Sequence, residues 1–98
     1  MDIKKELNGT SLVVEVSGRM DSSTAPQLER VFTESLGDVT SLTVDFADLA
    51  YLSSAGLRVL LAAQKTMNKQ GSMVVRNVND EVMDVFEITG FVDILTIE

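Results

Sequence analysis

The sequence predicts a single α/β domain in which a mixed β-sheet is covered by crossover helices. Three observations support this fold class. The chain opens with two β-branched segments separated by Asn-Gly, which is typical of a hairpin. Apolar residues then recur at helical spacing in three stretches, and a short strand-like segment follows each of them. Because a crossover helix returns the chain in the same direction, the later strands are predicted to be parallel and the opening hairpin antiparallel.

The element order predicted along the chain is ββαβαβαβ. The elements are strands at 3–7 and 12–16, a helix at 25–36, a strand at 42–46, a helix at 54–70, a strand at 73–75, a helix from 79 or 80 that stops at 90, and a last strand at 94–97. Thr24 and Gln27 have the spacing of a capping box at the start of the first helix. Glycines at positions 37, 71 and 90 are expected to terminate the three helices.

The amino-acid composition limits the classes of partner. The chain has 98 residues and no linker or repeat, so a single domain, 1–98, is expected. Its formal charge of -7 repels nucleic acid and anionic membrane surfaces. No apolar run approaches the ~20 residues needed to cross a bilayer, and the polar start lacks an export signal. We therefore expect a cytoplasmic protein that neither binds nucleic acid nor inserts into a membrane.

The absence of cysteine and histidine excludes several kinds of chemistry. Thiol nucleophiles, Ser-His pairs and the usual zinc sites are not available. There is also no Gly-x-x-x-x-Gly-Lys phosphate loop and no cluster of metal ligands. Asp45 and Asp48 are further acids near the loops, and a solvated loop face accounts for them. We expect no catalytic residues, no metal and no cofactor, and hence that the protein is not an enzyme.

The loops that leave parallel strands for their helices meet at one end of a sheet. Here they comprise residues 18–23, 48–54 and 77–80. The most unusual segment is Ser53-Ser54-Ala55-Gly56-Leu57-Arg58, which places two hydroxyls at the start of the second helix. One interpretation is structural: a serine N-cap, and a glycine that permits close packing. The other is that an exposed hydroxyl there tolerates a phosphate, because free N–H groups and the helix dipole favour negative charge.

Two segments resemble the signatures of a known family. Tyr51-Leu52-Ser53-Ser54-Ala55-Gly56-Leu57 resembles the phosphorylation loop of the STAS domain, the fold of bacterial anti-sigma factor antagonists. Gly18-Arg19-Met20-Asp21, followed by Thr24-Ala25 and Leu28, resembles a second signature of that family. The element order agrees over essentially the whole chain, although the family often has a final helix that would lie beyond Glu98. The resemblance therefore implies a STAS-like fold.

The resemblance also implies which residues form the site. The phosphorylated serine of the family stands two residues before the glycine of an Asp-Ser-Ser/Thr-Gly-Leu pattern, and Ser54 has that position relative to Gly56. Ser53 replaces the acidic residue of the pattern and is a second phosphate acceptor, and Ala55 replaces the following hydroxyl residue. Asp21 matches an acidic residue that the family keeps near the site, although capping of the first helix explains it equally well.

Helical spacing predicts the orientation of the second helix. Leu57, Leu60 and Leu61 are expected to face the sheet, which leaves Arg58 exposed near Ser54. We therefore expect Arg58 to contact a protein partner.

The function implied by the resemblance is partner switching. The unmodified protein binds an anti-sigma factor that is also a serine kinase, and the sigma factor is released. Phosphorylation ends the association, because a phosphate of charge about -2 is costly to desolvate in a packed interface. A PP2C-type phosphatase resets the protein, and ATP and magnesium belong to the kinase.

Two other functions are consistent with the sequence. The first is a STAS subunit of a transporter or signalling assembly that is not phosphorylated, since one fold serves both roles. The second is weak nucleotide binding by the converging loops, where Arg19 and Arg58 are the only basic residues. A serine at position 54 favours the switch over both alternatives.

Overall fold

A five-stranded mixed sheet forms the centre of the structure, a computed structural model that describes all of residues 1–98. The strands are β1 (Asp2–Asn8), β2 (Ser11–Met20), β3 (Ser41–Asp45), β4 (Leu49–Leu52) and β5 (Ser72–Arg76). The helices are α1 (Ala25–Ser35), α2 (Ser54–Gln70) and α3 (Asp80–Thr89), and a short 3-10 turn (Phe91–Asp93) follows α3. Strands β1 and β2 are antiparallel and all other strand pairs are parallel, so the predicted fold class is confirmed.

Strand β2 pairs with three other strands. It is antiparallel to β1, and its first half is parallel to β3, which in turn pairs with β5. Its last residues, Gly18 to Met20, pair with β4, and the register shifts at Ala50, between the pairs Gly18–Leu49 and Arg19–Tyr51. Gly18 has a φ of 89°, which glycine adopts without steric cost. The strand therefore extends four residues beyond its predicted end at residue 16.

One face of the sheet is apolar and is covered by helices. Alternate residues of β2, β3 and β5 are buried, because side chains alternate between the two faces of a strand; they are Leu12, Val14, Val16, Leu42, Val44, Met73 and Val75. Helices α1 and α2 contribute buried residues that include Leu28, Phe32, Leu60 and Met67. None of the helices is both long and apolar enough to cross a membrane.

Strand β4 was not predicted, because its residues were assigned to a loop. Leu49 and Leu52 are buried while Ala50 and Tyr51 are exposed. Four residues without strict alternation are too short for a periodic signal. The chain between β3 and α2 is therefore partly a strand, and this strand lies beside the end of β2.

The predicted last strand at 94–97 is wrong. The segment forms a single bridge between Val75 and Ile97, with backbone hydrogen bonds from Val75 to Thr96 and from Glu98 to Val75. The 3-10 turn at Phe91–Asp93 precedes it. Because the chain meets β5 at one residue pair, no ladder forms.

The first and last residues of the helices agree closely with prediction, but the predicted capping and terminating roles of some residues do not. The capping box at Thr24 is wrong, since its hydroxyl donates to the carbonyl of Arg19 at 2.8 Å and accepts no bond from the helix. Helix α1 ends at Ser35 with Leu36 as its C-cap, and Gly37, which follows, does not have the positive φ of a glycine terminator. Gly71 ends α2 with an extended backbone, and an added Cβ there would overlap the carbonyl oxygen of Thr40. The glycine at 71 is thus required by close packing.

Candidate functional site

Hydrogen bonds join the predicted loops at the carboxyl end of the parallel strands. The backbone N–H of Ser53 donates to the carbonyl of Met20 at 2.9 Å, which links the start of α2 to the end of β2. The side-chain amide of Asn79 donates to the carbonyl of Leu49 at 2.8 Å, which links the start of α3 to β4. These contacts bring the three loops together as the sequence predicted.

The two serines at the start of α2 have opposite environments. Ser54 is the first residue of the helix and is exposed. Ser53 is the N-cap, with an extended backbone, yet its side chain makes no capping hydrogen bond. Its Oγ is buried and has no hydrogen-bond partner. Of the two hydroxyl groups, that of Ser54 is the one accessible from solvent.

The first turn of α2 has no acidic residue and no side-chain cap. The first N–H groups of a helix have no intrahelical acceptor, and the positive end of the helix dipole lies there. Most helix starts offset this charge with a capping oxygen or a carboxylate. The start of α2 is therefore electrostatically suited to a negative group on Ser54.

Gly56 allows α2 to approach the ends of β2 and β4 closely. It is buried, and a Cβ added to it would lie 2.5 Å from Cδ1 of Leu52 and 2.6 Å from Sδ of Met20. Any larger residue would push the first turn of the helix away from the sheet. This geometry supports the structural interpretation of Gly56, which lets the first turn of α2, with Ser54, lie against the sheet.

The carboxylate of Asp21 organises the turn that leads into α1. Its Oδ1 accepts from the hydroxyl of Ser23 at 2.7 Å, from the N–H of Ser23 at 3.0 Å and from the N–H of Thr24 at 3.2 Å. The hydroxyl and N–H of Ser23, followed by Thr24, hold the pKa of Asp21 below its ordinary value against an opposing effect of burial. Asp21 adjoins Met20, but its carboxylate makes no hydrogen bond to Ser53 or Ser54.

Two arginines belong to the segments that meet at the start of α2. Arg58 is exposed, as predicted, one turn after Ser54, and it makes no ion pair or side-chain hydrogen bond. Arg19 lies over the ring of Tyr51, with its Cζ 4.3 Å from the ring centroid, a cation–π geometry. Tyr51 is 41% exposed. The Arg19–Tyr51 pair was not predicted, because it depends on the pairing of β4 with β2. The one sequence feature that pointed to it is the single tyrosine of the chain, which begins the segment 51–57 that resembles the family signature.

The orientation predicted for α2 is correct for two of its three leucines. Leu57 and Leu60 are buried, whereas Leu61 is only half-buried. Val59 and Ala63 are buried in addition. The buried stripe is therefore rotated toward these residues, because α2 packs against α1 as well as against the sheet.

Asp45 is buried, and the interpretation of this residue as part of a solvated loop face is wrong. Its carboxylate accepts from the N–H of Ala47 at 2.9 Å, from Nε of Arg76 at 3.1 Å and from Nδ2 of Asn77 at 3.1 Å. Burial raises the pKa of Asp45, but the hydrogen bonds from Ala47, Asn77 and Arg76 and the charge of Arg76 outweigh it, so the pKa lies below its ordinary value. The residue joins the ends of β3 and β5. Asp48 is exposed, as expected.

Known proteins of similar sequence share this arrangement of segments. The family model described as "Mlab, STAS domain" matches residues 3–96. The anti-sigma-B factor antagonist of Bacillus subtilis is 30% identical over 98 residues, which is 99% of this chain and 88% of that protein. The anti-sigma-B factor antagonist of Staphylococcus aureus is 32% identical over 84 residues, which is 84% of this chain and 78% of that protein.

Solved structures agree with the sequence comparison. An anti-sigma factor antagonist from Mycobacterium paratuberculosis superposes with a TM-score of 0.89 at 26% identity, over 98% of this chain and 83% of that one. The anti-sigma factor antagonist SpoIIAA in its unphosphorylated form superposes with a TM-score of 0.83 at 20% identity, over 99% of this chain and 88% of that one, which shows the shared fold. The family match, the curated relatives and the fold agree, and the chain belongs to the STAS domain family of anti-sigma factor antagonists.

Proposed function

We propose that the protein switches partners through phosphorylation of Ser54. In the unmodified form it binds an anti-sigma factor with serine kinase activity in the cytoplasm, and the sigma factor held by that partner is released. The phosphorylated form dissociates. The main support is the exposed hydroxyl of Ser54 at a helix start that lacks both a cap and an acidic residue. The sequence relatives are anti-sigma-B factor antagonists, and SpoIIAA, which shares the fold, has been solved in a phosphorylated form.

The environment of the two serines supports Ser54 over Ser53. A kinase must bring the γ-phosphate of ATP in line with the attacking hydroxyl, so that hydroxyl has to be reachable. The Oγ of Ser53 is buried below the first turn of α2, whereas Ser54 is exposed. Modification of Ser53 would require the start of the helix to open.

We propose that exposed residues of β2, β4 and the start of α2 together contact the protein partner. We name Arg19, Tyr51, Ser54 and Arg58 the switch surface. It combines an aromatic ring with two arginines, residue types that are enriched in interface hot spots. A shallow groove of about 180 Å³ between β4 and α3 adjoins it, with Val82 among its lining residues. A phosphate placed within such a contact costs desolvation and repels acidic groups of the partner.

The kinase and the phosphatase supply the chemistry in this proposal. ATP and magnesium are bound by the anti-sigma factor, and a PP2C-type phosphatase removes the phosphate. This chain acts as the substrate of both enzymes, and no catalytic role is assigned to any of its residues.

The direct test is incubation with the anti-sigma kinase and labelled ATP. We expect wild type and Ser53→Ala to take up one phosphate and Ser54→Ala to take up none. As a control, calorimetry should show that unmodified Ser54→Ala still binds the kinase, which would establish that this variant is folded. Phosphopeptide mapping that places the label on Ser53 or Ser22 would contradict the assignment. If no label is incorporated and Ser54→Asp binds like wild type, the protein is an unphosphorylated STAS subunit instead.

The partner surface is tested with a charge reversal. We expect Arg58→Glu to weaken binding to the anti-sigma factor by at least about tenfold while the circular dichroism spectrum is unchanged. Lys65→Glu is the matched control, since Lys65 is exposed two turns further along α2 and outside the switch surface. Full-strength binding by Arg58→Glu would exclude this surface.

A further inference from the structure

Arg58 stands one helical turn after Ser54, and its guanidinium is not engaged. Both residues are exposed, and Arg58 makes no ion pair or hydrogen bond. Residues four apart on a helix are neighbours, with Cβ atoms about 5–6 Å apart. Long side chains on a helix lean toward its N-terminus, so they cover the turn before their own Cα. The guanidinium of Arg58 is therefore within reach of a group attached to the Ser54 hydroxyl.

No acidic side chain within one turn of Arg58 on α2 competes for its guanidinium. The residues three and four positions away on α2 are Ser54, Ala55, Leu61 and Ala62, none of which is acidic. The other nearby arginine, Arg19, is stacked on Tyr51. Arg58 is thus the cation on α2 that is free to meet a phosphate on its first residue.

We propose that Arg58 is the internal ligand of the phosphate on Ser54. Its guanidinium turns back along α2 and donates two hydrogen bonds to the phosphate oxygens. Arginine binds phosphate in this forked geometry, whereas lysine acts as a point charge. The inference rests on the proposed function, because it requires Ser54 to be the modified residue.

Phosphorylation then changes the switch surface in two ways. It adds a charge of about -2 at Ser54, and it withdraws Arg58 from the partner by pairing it within the same helix. The side chain of Ser54→Asp is shorter than phosphoserine and carries a single negative charge, so it reaches less far toward Arg58 and attracts it less. We expect Ser54→Asp to reduce partner affinity less than the phosphate does.

The pairing is tested by phosphorus NMR on protein with phosphoserine inserted at position 54 during translation, which needs no kinase. The second pKa of the phosphate is measured by pH titration in wild type, Arg58→Gln and Lys65→Gln. We expect Arg58→Gln to raise this pKa by about 0.2–0.4, because a nearby cation favours the dianion. Lys65 lies roughly 16 Å along the helix from Ser54, beyond the screening length of about 10 Å, so Lys65→Gln should match wild type.

The helix dipole acts on the phosphate pKa equally in all three proteins. The difference in this pKa between wild type and Arg58→Gln therefore measures the contribution of Arg58 alone. Equal pKa values in wild type and Arg58→Gln would overturn the pairing. Arg58→Lys is expected to give an intermediate value, and a value equal to wild type would overturn the forked geometry. Circular dichroism verifies that each variant is folded.

The two proposals fail separately. If the kinase labels Ser54 but Arg58→Gln titrates like wild type, the pairing is wrong and the switch stands. If the kinase labels a different residue while the inserted phosphoserine shows the expected difference, the switch at Ser54 is wrong and the side-chain pairing is correct.

Discussion

The starts of α2 and α3 are built differently, although both helices follow parallel strands at the same end of the sheet. At α3, Asn79 caps the helix by accepting from the N–H of Val82 at 2.8 Å, and two acidic residues, Asp80 and Glu81, lie in the first turn. At α2, the cap residue Ser53 makes no such bond and the first turn has no acid. Local interactions therefore stabilise the start of α3 and are missing at the start of α2.

The difference indicates which helix start is electrostatically suited to an added negative charge. The start of α1 also lacks a side-chain cap and an acid in its first turn, but the carboxylate of Asp21 accepts from N–H groups of the turn just before that helix, whereas α2 has no such bond. Packing holds α2 in place instead, through Gly56 at one end and hydrogen bonds from Gln70 to the carbonyls of Leu36 and Val39 at the other. A helix start that already held a carboxylate would repel a phosphate.

The largest effect is expected from Asp45→Ala, which removes the anchor of the segment leading to α3. Arg76, Asn77 and the N–H of Ala47 lose their shared acceptor. We expect the free energy of unfolding, measured by urea denaturation, to fall by about 2–4 kcal/mol. Asp48→Ala, at an exposed position, is the control and should change it by less than about 0.5 kcal/mol. A loss below about 1 kcal/mol for Asp45→Ala would mean that α3 does not depend on this anchor.

The comparison between the two helix starts is tested by removing each cap side chain. Asn79→Ala loses the bond to Val82 and leaves the carbonyl of Leu49 without its donor, so we expect a loss of about 1–2 kcal/mol. Ser53→Ala removes a hydroxyl that makes no hydrogen bond, and we expect a change within about 0.5 kcal/mol. Both are measured by denaturant unfolding. Equal losses would show that the start of α2 is capped in solution.

A smaller effect is expected on lowering the pH. The folded-state pKa of Asp45 is below its unfolded value, so its contribution is fully present above the unfolded pKa of about 3.9 and is lost as the pH falls through the folded pKa. Asp45→Asn should therefore lose less stability than wild type between about pH 5 and pH 3. The pKa of Asp21 is also lowered in the folded state, so the stability of Asp45→Asn still depends on pH in this range. An identical slope in Asp45→Asn and in the control Asp48→Asn would contradict the prediction.

The smallest effect is expected from phosphate on Ser54. The helix dipole favours the added charge by about 0.3–1 kcal/mol, and Asp21 and the net charge of -7 oppose it by a similar amount through water. The phosphorylated protein should melt cooperatively within roughly 5 °C of wild type while its affinity for the anti-sigma factor is mostly lost. Loss of cooperative melting, or unchanged affinity in calorimetry, would rule out switching by interface disruption.

Local sequence signals were sufficient for the helices. The apolar spacing from Ser54 to Gln70, the asparagine before α3 and the glycine after it predicted limits that the structure reproduces. Gly90 has a φ of 80°, as expected for a left-handed helix terminator. These features depend on residues within one or two turns of each other, which is why the sequence alone predicts them.

Contacts between distant segments were decided by the tertiary structure. Strand β4 forms because the end of β2 pairs with a segment about thirty residues away, and no local pattern encodes such a pairing. For the same reason the sequence did not predict the burial of Asp45, whose hydrogen-bond donors Arg76 and Asn77 lie in β5 and the loop after it. The sequence motif located the two serines, but only the packing of α2 against Met20 and Leu52 determined that one hydroxyl is buried and the other exposed.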